Sequence, residues 1–101
     1  MNLTHLKDAE LIPIKIAAHK LFGSERTEVI HLCFKPGEVL EKHPNPFDVL
    51  FYVLEGSGTL EVGDESFPLG ADTLIEIPAN DMRGWTNTGS EDLRVLVIKV
   101  L

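Results

Sequence analysis

The chain has 101 residues, 44% of them hydrophobic and 25% charged, with a formal net charge of −7. That length holds one domain with a core of its own, and no disulfide or metal staple is required. Sixteen Asp and Glu outnumber nine scattered Lys and Arg, which argues against binding nucleic acid or an anionic membrane, since both need basic patches.

Residues 1–10 are polar and mixed, and read as an N-terminal arm on a single domain spanning 1–101. Leu11 to Ile16 alternates in part and carries Pro13, which suits an edge strand. Ala17 to Phe22 fits either one helical turn or a continued strand, and Gly23 to Arg26 is a turn. Val29 to Phe34 alternates as a strand. Its Ile30, Leu32 and Phe34 face is wholly apolar, so it is expected inside a barrel, with Val29, His31 and Cys33 outside. Pro36-Gly37 ends that strand, and a charged bend with His43 and Asn45 follows. Val49 to Leu54 is apolar, β-branched and of strand length, and is the expected central strand. Gly56-Ser57-Gly58 turns the chain into a short strand, Thr59 to Val62. Gly63-Asp64-Glu65 is a hairpin signal, and Ser66 to Leu69 is a short edge piece with Pro68. Thr73 to Ile77 is a strand that Pro78 ends, and Arg83 to Asn87 is another. In the last strand, Leu93 to Leu101, the run Val95 to Ile98 is apolar on both faces and expected to be buried on both. Short strands with frequent turns and no helical period predict an all-β sandwich or barrel.

The first residues lack the apolar core of a signal peptide, and no apolar run approaches membrane-spanning length. The single cysteine, Cys33, permits no internal disulfide and suits a reducing compartment. A cytoplasmic protein is the expectation.

Two segments carry a family signature. Gly37, His43, Asn45, Val49 and Gly56 occupy the places of a motif running Gly, His-x-His, Glu, Gly. Pro78, Asn80, Arg83 and Asn87 occupy the last four places of a second motif, Gly, Pro-x-Gly, His, Asn. The spacing puts that motif's first glycine at Asp72, while the actual glycine, Gly70, lies two residues earlier. With this spacing and the flanking Tyr52-Val53-Leu54-Glu55-Gly56 and Asn87-Thr88-Gly89, the chain resembles the cupin superfamily from about residue 29 onward. The resemblance implies a double-stranded β-helix, or jelly-roll, β-barrel. In metal-binding cupins, two His and one Glu of the first motif and one His of the second hold Fe, Mn, Ni or Zn. Of those places only His43 is retained. Asn45 offers a neutral amide, Val49 cannot ligate, and Arg83 brings a fixed positive charge with no acceptor. A degenerate metal site follows, with no metal and no other cofactor expected.

The expected pocket residues are His43, Asn45, Arg83, Trp85, Phe51 and Asp48. Histidine is a side chain suited to proton transfer, so His43 fits either that role or bonding a loop at the barrel mouth. Arg83, Trp85 and Asn87 share one strand face, which the resemblance places inside the barrel. A buried arginine is costly unless paired. Its partner is either Asp48, as an internal ion pair, or a carboxylate or phosphate of a ligand held by the guanidinium fork. Trp85 reads as barrel filling or as a stacking surface. Asn87 is expected to cap the Thr88-Gly89 turn, and Cys33 to be a buried small hydrophobe.

These readings favour a binding module for a small, anionic ligand, with no assigned catalytic residue. The alternative is a cupin-type enzyme, a metal-dependent dioxygenase or an isomerase acting on a small organic acid or sugar through a non-standard site. The resemblance also implies a homodimer, with the apolar Leu11 to Ile16 and Val95 to Leu101 as candidates to cover a partner's edge.

Overall fold

The computed structural model describes all 101 residues. After a single turn of 3-10 helix at Leu6–Asp8 come ten strands: β1 (Glu10–Ile12), β2 (Ala17–Gly23), β3 (Thr27–Phe34), β4 (Val39–His43), β5 (Asp48–Glu55), β6 (Ser57–Val62), β7 (Glu65–Gly70), β8 (Leu74–Ile77), β9 (Arg83–Thr86) and β10 (Leu93–Val100). They form a six-stranded sheet, β1-β2-β3-β10-β5-β8, and a four-stranded sheet, β4-β9-β6-β7. Every pairing is antiparallel. The chain passes repeatedly from one sheet to the other, as a jelly roll requires.

Strand alternation sets the core. Val97 on β10 lies between Ile30 of β3 and Phe51 of β5, and Val95 between Leu32 and Val53. All six are buried, and Leu60 and Trp85 of the smaller sheet join the same cluster. The expected inner face of β3 is therefore correct. On β10 the expectation of burial on both faces needs correcting, because Leu96 and Ile98 on the outer face are only half-buried.

Ala17 to Phe22 is strand rather than a helical turn, pairing with β3 in register Ala18↔Leu32. Pro13 lies just past β1, whose three residues pair with β2 alone at the sheet edge. The charged bend expected around His43 is in part a strand, β4. It pairs with β9 as Leu40↔Trp85 and His43↔Arg83, across a bulge. That bulge explains why simple alternation fails there, since an extra residue breaks the period of two.

The turns follow the second motif closely. Asp72 and Asn80, which stand at its two glycine places, are the only non-glycine residues with positive φ, at 63° and 71°. Asp and Asn tolerate the left-handed region better than other side chains, so they replace glycine at modest cost. The Asp72 N–H donates to Val53 O at 2.8 Å, and the Tyr52 hydroxyl donates to the Asp72 carboxylate at 3.0 Å. Gly56, at φ 80°, allows no such replacement, because a Cβ there would lie 2.2 Å from Asp92 O.

Candidate functional site

One end of the barrel opens into a cavity of about 550 Å³. Its floor and walls are apolar and aromatic: Phe51 and Trp85 meet edge to face, with centroids 5.6 Å apart and planes at 90°, and Ile30, Leu32, Leu40 and Val97 surround them. The polar residues come from strand ends on one rim. β4 ends at His43, β9 begins at Arg83, β10 ends near Lys99, and β3 begins near Glu28. Antiparallel pairing places the start of one strand beside the end of its neighbour, which gathers these residues at one mouth.

Arg83 is 4% exposed. Its Nη1 donates to His43 O, and its Nη2 to the side-chain oxygen of Asn45 in the amide orientation that satisfies both groups. The guanidinium lies 6.0 Å from the Phe51 ring centroid, within reach of the ring's negative face. Its Nε has no partner, and neither has the Trp85 indole N–H two residues along the same strand face. No carboxylate pairs with Arg83 among the ion pairs of the fold. Burial pushes its pKa down from the ordinary value, because a low-dielectric site disfavours the charged form.

Five of the six expected pocket residues, His43, Asn45, Arg83, Trp85 and Phe51, do line this cavity. Asp48 does not. It is exposed, its carboxylate accepts from Ala79 N at 2.9 Å, and the internal ion pair with Arg83 is not formed. His43 is half-buried, with Nδ1 at 2.9 Å from Glu41 O. Asn87 is buried and lies off the cavity. Its oxygen accepts from Gly89 N, and its amide donates to Phe34 O and Glu91 O, which is the expected turn cap with an additional tie to β3.

Among the cavity residues that escape the motif reading are Lys20, Glu28 and Lys99. Glu28 sits between the two lysines, with Lys99 Nζ at 3.2 Å and Lys20 Nζ at 3.7 Å. Lys99 also lies 5.8 Å from the Phe47 ring centroid. Parity alone could have found them, since Glu28 shares the face of Ile30 and Leu32, and Lys99 that of Val95 and Val97.

His31 and Cys33 point away from the cavity, as their parity implies. His31 is nonetheless 4% exposed, and its Nε2 accepts from Arg94 Nε at 3.1 Å. Burial, then the Arg94 charge, then His19 hold its pKa below 6.5. Cys33 is half-buried beside Asp92, and burial raises its thiol pKa.

At the four places where the resemblance implies metal ligands stand His43, Asn45, Val49 and Arg83. Val49 is 1% exposed in the core, Arg83 places a cation in the cavity, and Asn45 is engaged by that cation. No group of three His, Cys, Asp or Glu side chains is placed to hold a metal ion, and such sites want three or more of those donors.

A family model described as the cupin domain matches residues 30–99. The chain is similar to auxin-binding protein 1 of Arabidopsis thaliana, 37% identical over 92 residues that cover 82% of this chain and 46% of that protein. It is also similar to a 5-nitrosalicylic acid 1,2-dioxygenase of Bradyrhizobium, 32% identical over 63 residues, covering 62% of this chain and 30% of that protein. The chain thus spans less than half the length of these curated relatives. Among solved structures, a Thermus thermophilus protein superposes with a TM-score of 0.84 at 28% identity, covering 99% of this chain and 97% of that one. A predicted oxalate decarboxylase of Thermotoga maritima superposes with a TM-score of 0.90 over 99% of both chains, at 17% identity that speaks to fold alone. No helix is long and apolar enough to cross a membrane.

Proposed function

The chain belongs to the cupin domain family, and on that premise we propose that it is a metal-free binding barrel for a small organic acid, held between Arg83, His43 and Trp85. The observation that carries this reading is Arg83 itself, a buried guanidinium in the cavity lining, set against the Phe51 ring and without a carboxylate partner. A charge desolvated in this way wants a counter-ion, and a ligand carboxylate supplies one through charge-assisted hydrogen bonds. The free Trp85 N–H on the same strand face offers a further donor. Fold alone does not set function, but two curated relatives are named for small organic ligands: an auxin-binding protein and an enzyme of 5-nitrosalicylic acid.

Calorimetric titration with phenylacetate and with its uncharged counterpart, phenylacetamide, tests the reading. The carboxylate binds and the amide binds at least tenfold more weakly, and Arg83→Gln removes the preference. Equal affinities, or a preference that survives Arg83→Gln, would refute it.

The similarity to a dioxygenase favours one second reading, a cupin-type enzyme acting on a small organic acid through a non-standard site. Oxygen uptake by protein supplied with Fe(II) and salicylates, lost in His43→Ala, would support it over pure binding. The expected homodimer is part of the proposal too. The half-buried Leu96 and Ile98 on the outer face of the six-stranded sheet are its candidate contact, and a monomer in sedimentation at micromolar concentration would remove it.

A further inference from the structure

The cavity carries a second cationic feature that a single carboxylate does not use. Lys20 and Lys99 flank one carboxylate, Glu28, on the wall formed by β2, β3 and β10. Arg83 lies on the other sheet. All four side chains line the same cavity, and none is fully exposed. Glu28 spends both its oxygens on two ammonium groups, leaving that cluster with one positive charge in excess. Glu10, the remaining acidic group at the mouth, stands opposite Lys20 in the β1–β2 register, but it is exposed and makes no ion pair with Lys20 or Lys99.

Register separates the two cationic sites. The Arg83 guanidinium stands over Phe51, and Phe51 is paired with Val97. Lys99 is two residues beyond Val97, about 7 Å further along the strand toward the rim. Between the two sites the lining is Ile30, Val97 and Phe51, with no polar side chain to satisfy. The half-buried and buried charges thus form two cationic poles, Arg83 on one sheet and the Lys20–Glu28–Lys99 cluster on the other, with an apolar interval between.

Building on the proposed binding of an organic acid at Arg83, we infer that the ligand class is a diacid: a small molecule with an apolar, flat or aliphatic middle and an acidic group at each end. One acid group answers Arg83 and the Trp85 N–H, and the other answers Lys99 and Lys20. A diacid balances both poles, whereas a monoacid leaves the rim lysines with the water and the single carboxylate they already have. Charge-assisted hydrogen bonds at the second pole are strong enough to separate the two classes.

The test uses three probes with one body: 1,4-phenylenediacetate, its monomethyl ester, and phenylacetate, titrated calorimetrically into the intact protein at fixed ionic strength. The diacid should bind about tenfold more tightly than the monoester, a difference of one charged contact. Lys99→Met and Lys20→Met should each bring that ratio toward one. Glu28→Gln, which frees both lysines, should increase it. Circular dichroism of each variant verifies the fold, and Glu28→Gln needs only a gain to be read. If the diacid and monoester bind alike, and Glu28→Gln leaves the ratio unchanged, the second pole is refuted while the Arg83 reading stands. If phenylacetate binds no better than phenylacetamide, the first reading falls and this one with it.

Discussion

Replacing Arg83 by Met separates a binding role from a structural one, because the two move stability in opposite directions. The arginine makes two charge-assisted hydrogen bonds, to His43 O and the Asn45 side chain, each contributing about 1.5–3 kcal/mol. Against them stand the desolvation of an unpaired buried ion, which costs several kcal/mol after relaxation, and the orphaned Nε, about 1–3 kcal/mol more. Methionine, though shorter, presents an apolar side chain to Phe51 and leaves only two acceptors, on the half-buried His43 and Asn45. The balance favours the variant by about 1–2 kcal/mol, within the range seen when buried charges give way to well-packed apolar side chains. For a domain of this size that is a rise in Tm of roughly 5–10 °C. Thermal unfolding followed by circular dichroism reads it directly, and titration with phenylacetate should show that binding is lost in the same variant. A fall in Tm of several degrees would refute the reasoning. It would mean that the guanidinium is retained for its ties to β4 and the Asn45 loop, and that a ligand is not needed to explain it.

Three further outcomes follow from local geometry. His31 has a folded-state pKa held below its ordinary 6.5, so the unfolded chain takes up its proton first as pH falls. Its contribution is complete above its ordinary pKa of 6.5 and declines as pH falls below it, and His31→Gln should flatten the pH dependence of urea unfolding on that acid side. Asn80 sits at φ 71°, so Asn80→Ala should cost about 1–2 kcal/mol in urea unfolding, while Asn80→Gly is near neutral. Gly56→Ala must place a Cβ 2.2 Å from the Asp92 carbonyl oxygen. The expected loss exceeds about 3 kcal/mol, seen as a much lower unfolding midpoint or as insoluble protein.

Much of the barrel is legible in the sequence because its strands bury one face. Ile30, Leu32 and Phe34 declare the inner side of β3, and alternation carries the same reading through Phe51 and Val53. β4 is hidden for a physical reason. It is short, bulged and half-exposed, so Leu40 and His43 do not alternate as a regular strand does. The left-handed turns are legible only in part. The motif spacing marks Asp72 and Asn80 as glycine places, but only the backbone shows that these side chains take up the glycine conformation. At the site, Arg83 stands out because it breaks the family pattern, and Asp48 is placed wrongly because its turn directs the carboxylate to Ala79 N instead. Lys20, Glu28 and Lys99 pass unnoticed because charged residues near strand ends usually reach solvent. Here parity aims them into the cavity mouth, where each partly offsets the burial of its neighbour.

The outermost wall of the cavity hangs by very little. β1 holds the domain through three residue pairs with β2 and nothing on its other side, yet Glu10, Leu11 and Ile12 border the chamber. Peeling those residues away would breach the enclosure while the other nine strands kept their partners. The amide protons of Leu11 and Ile12 are thus natural reporters of occupancy, because a guest resting against them would slow their exchange long before it changed the global melting of the domain.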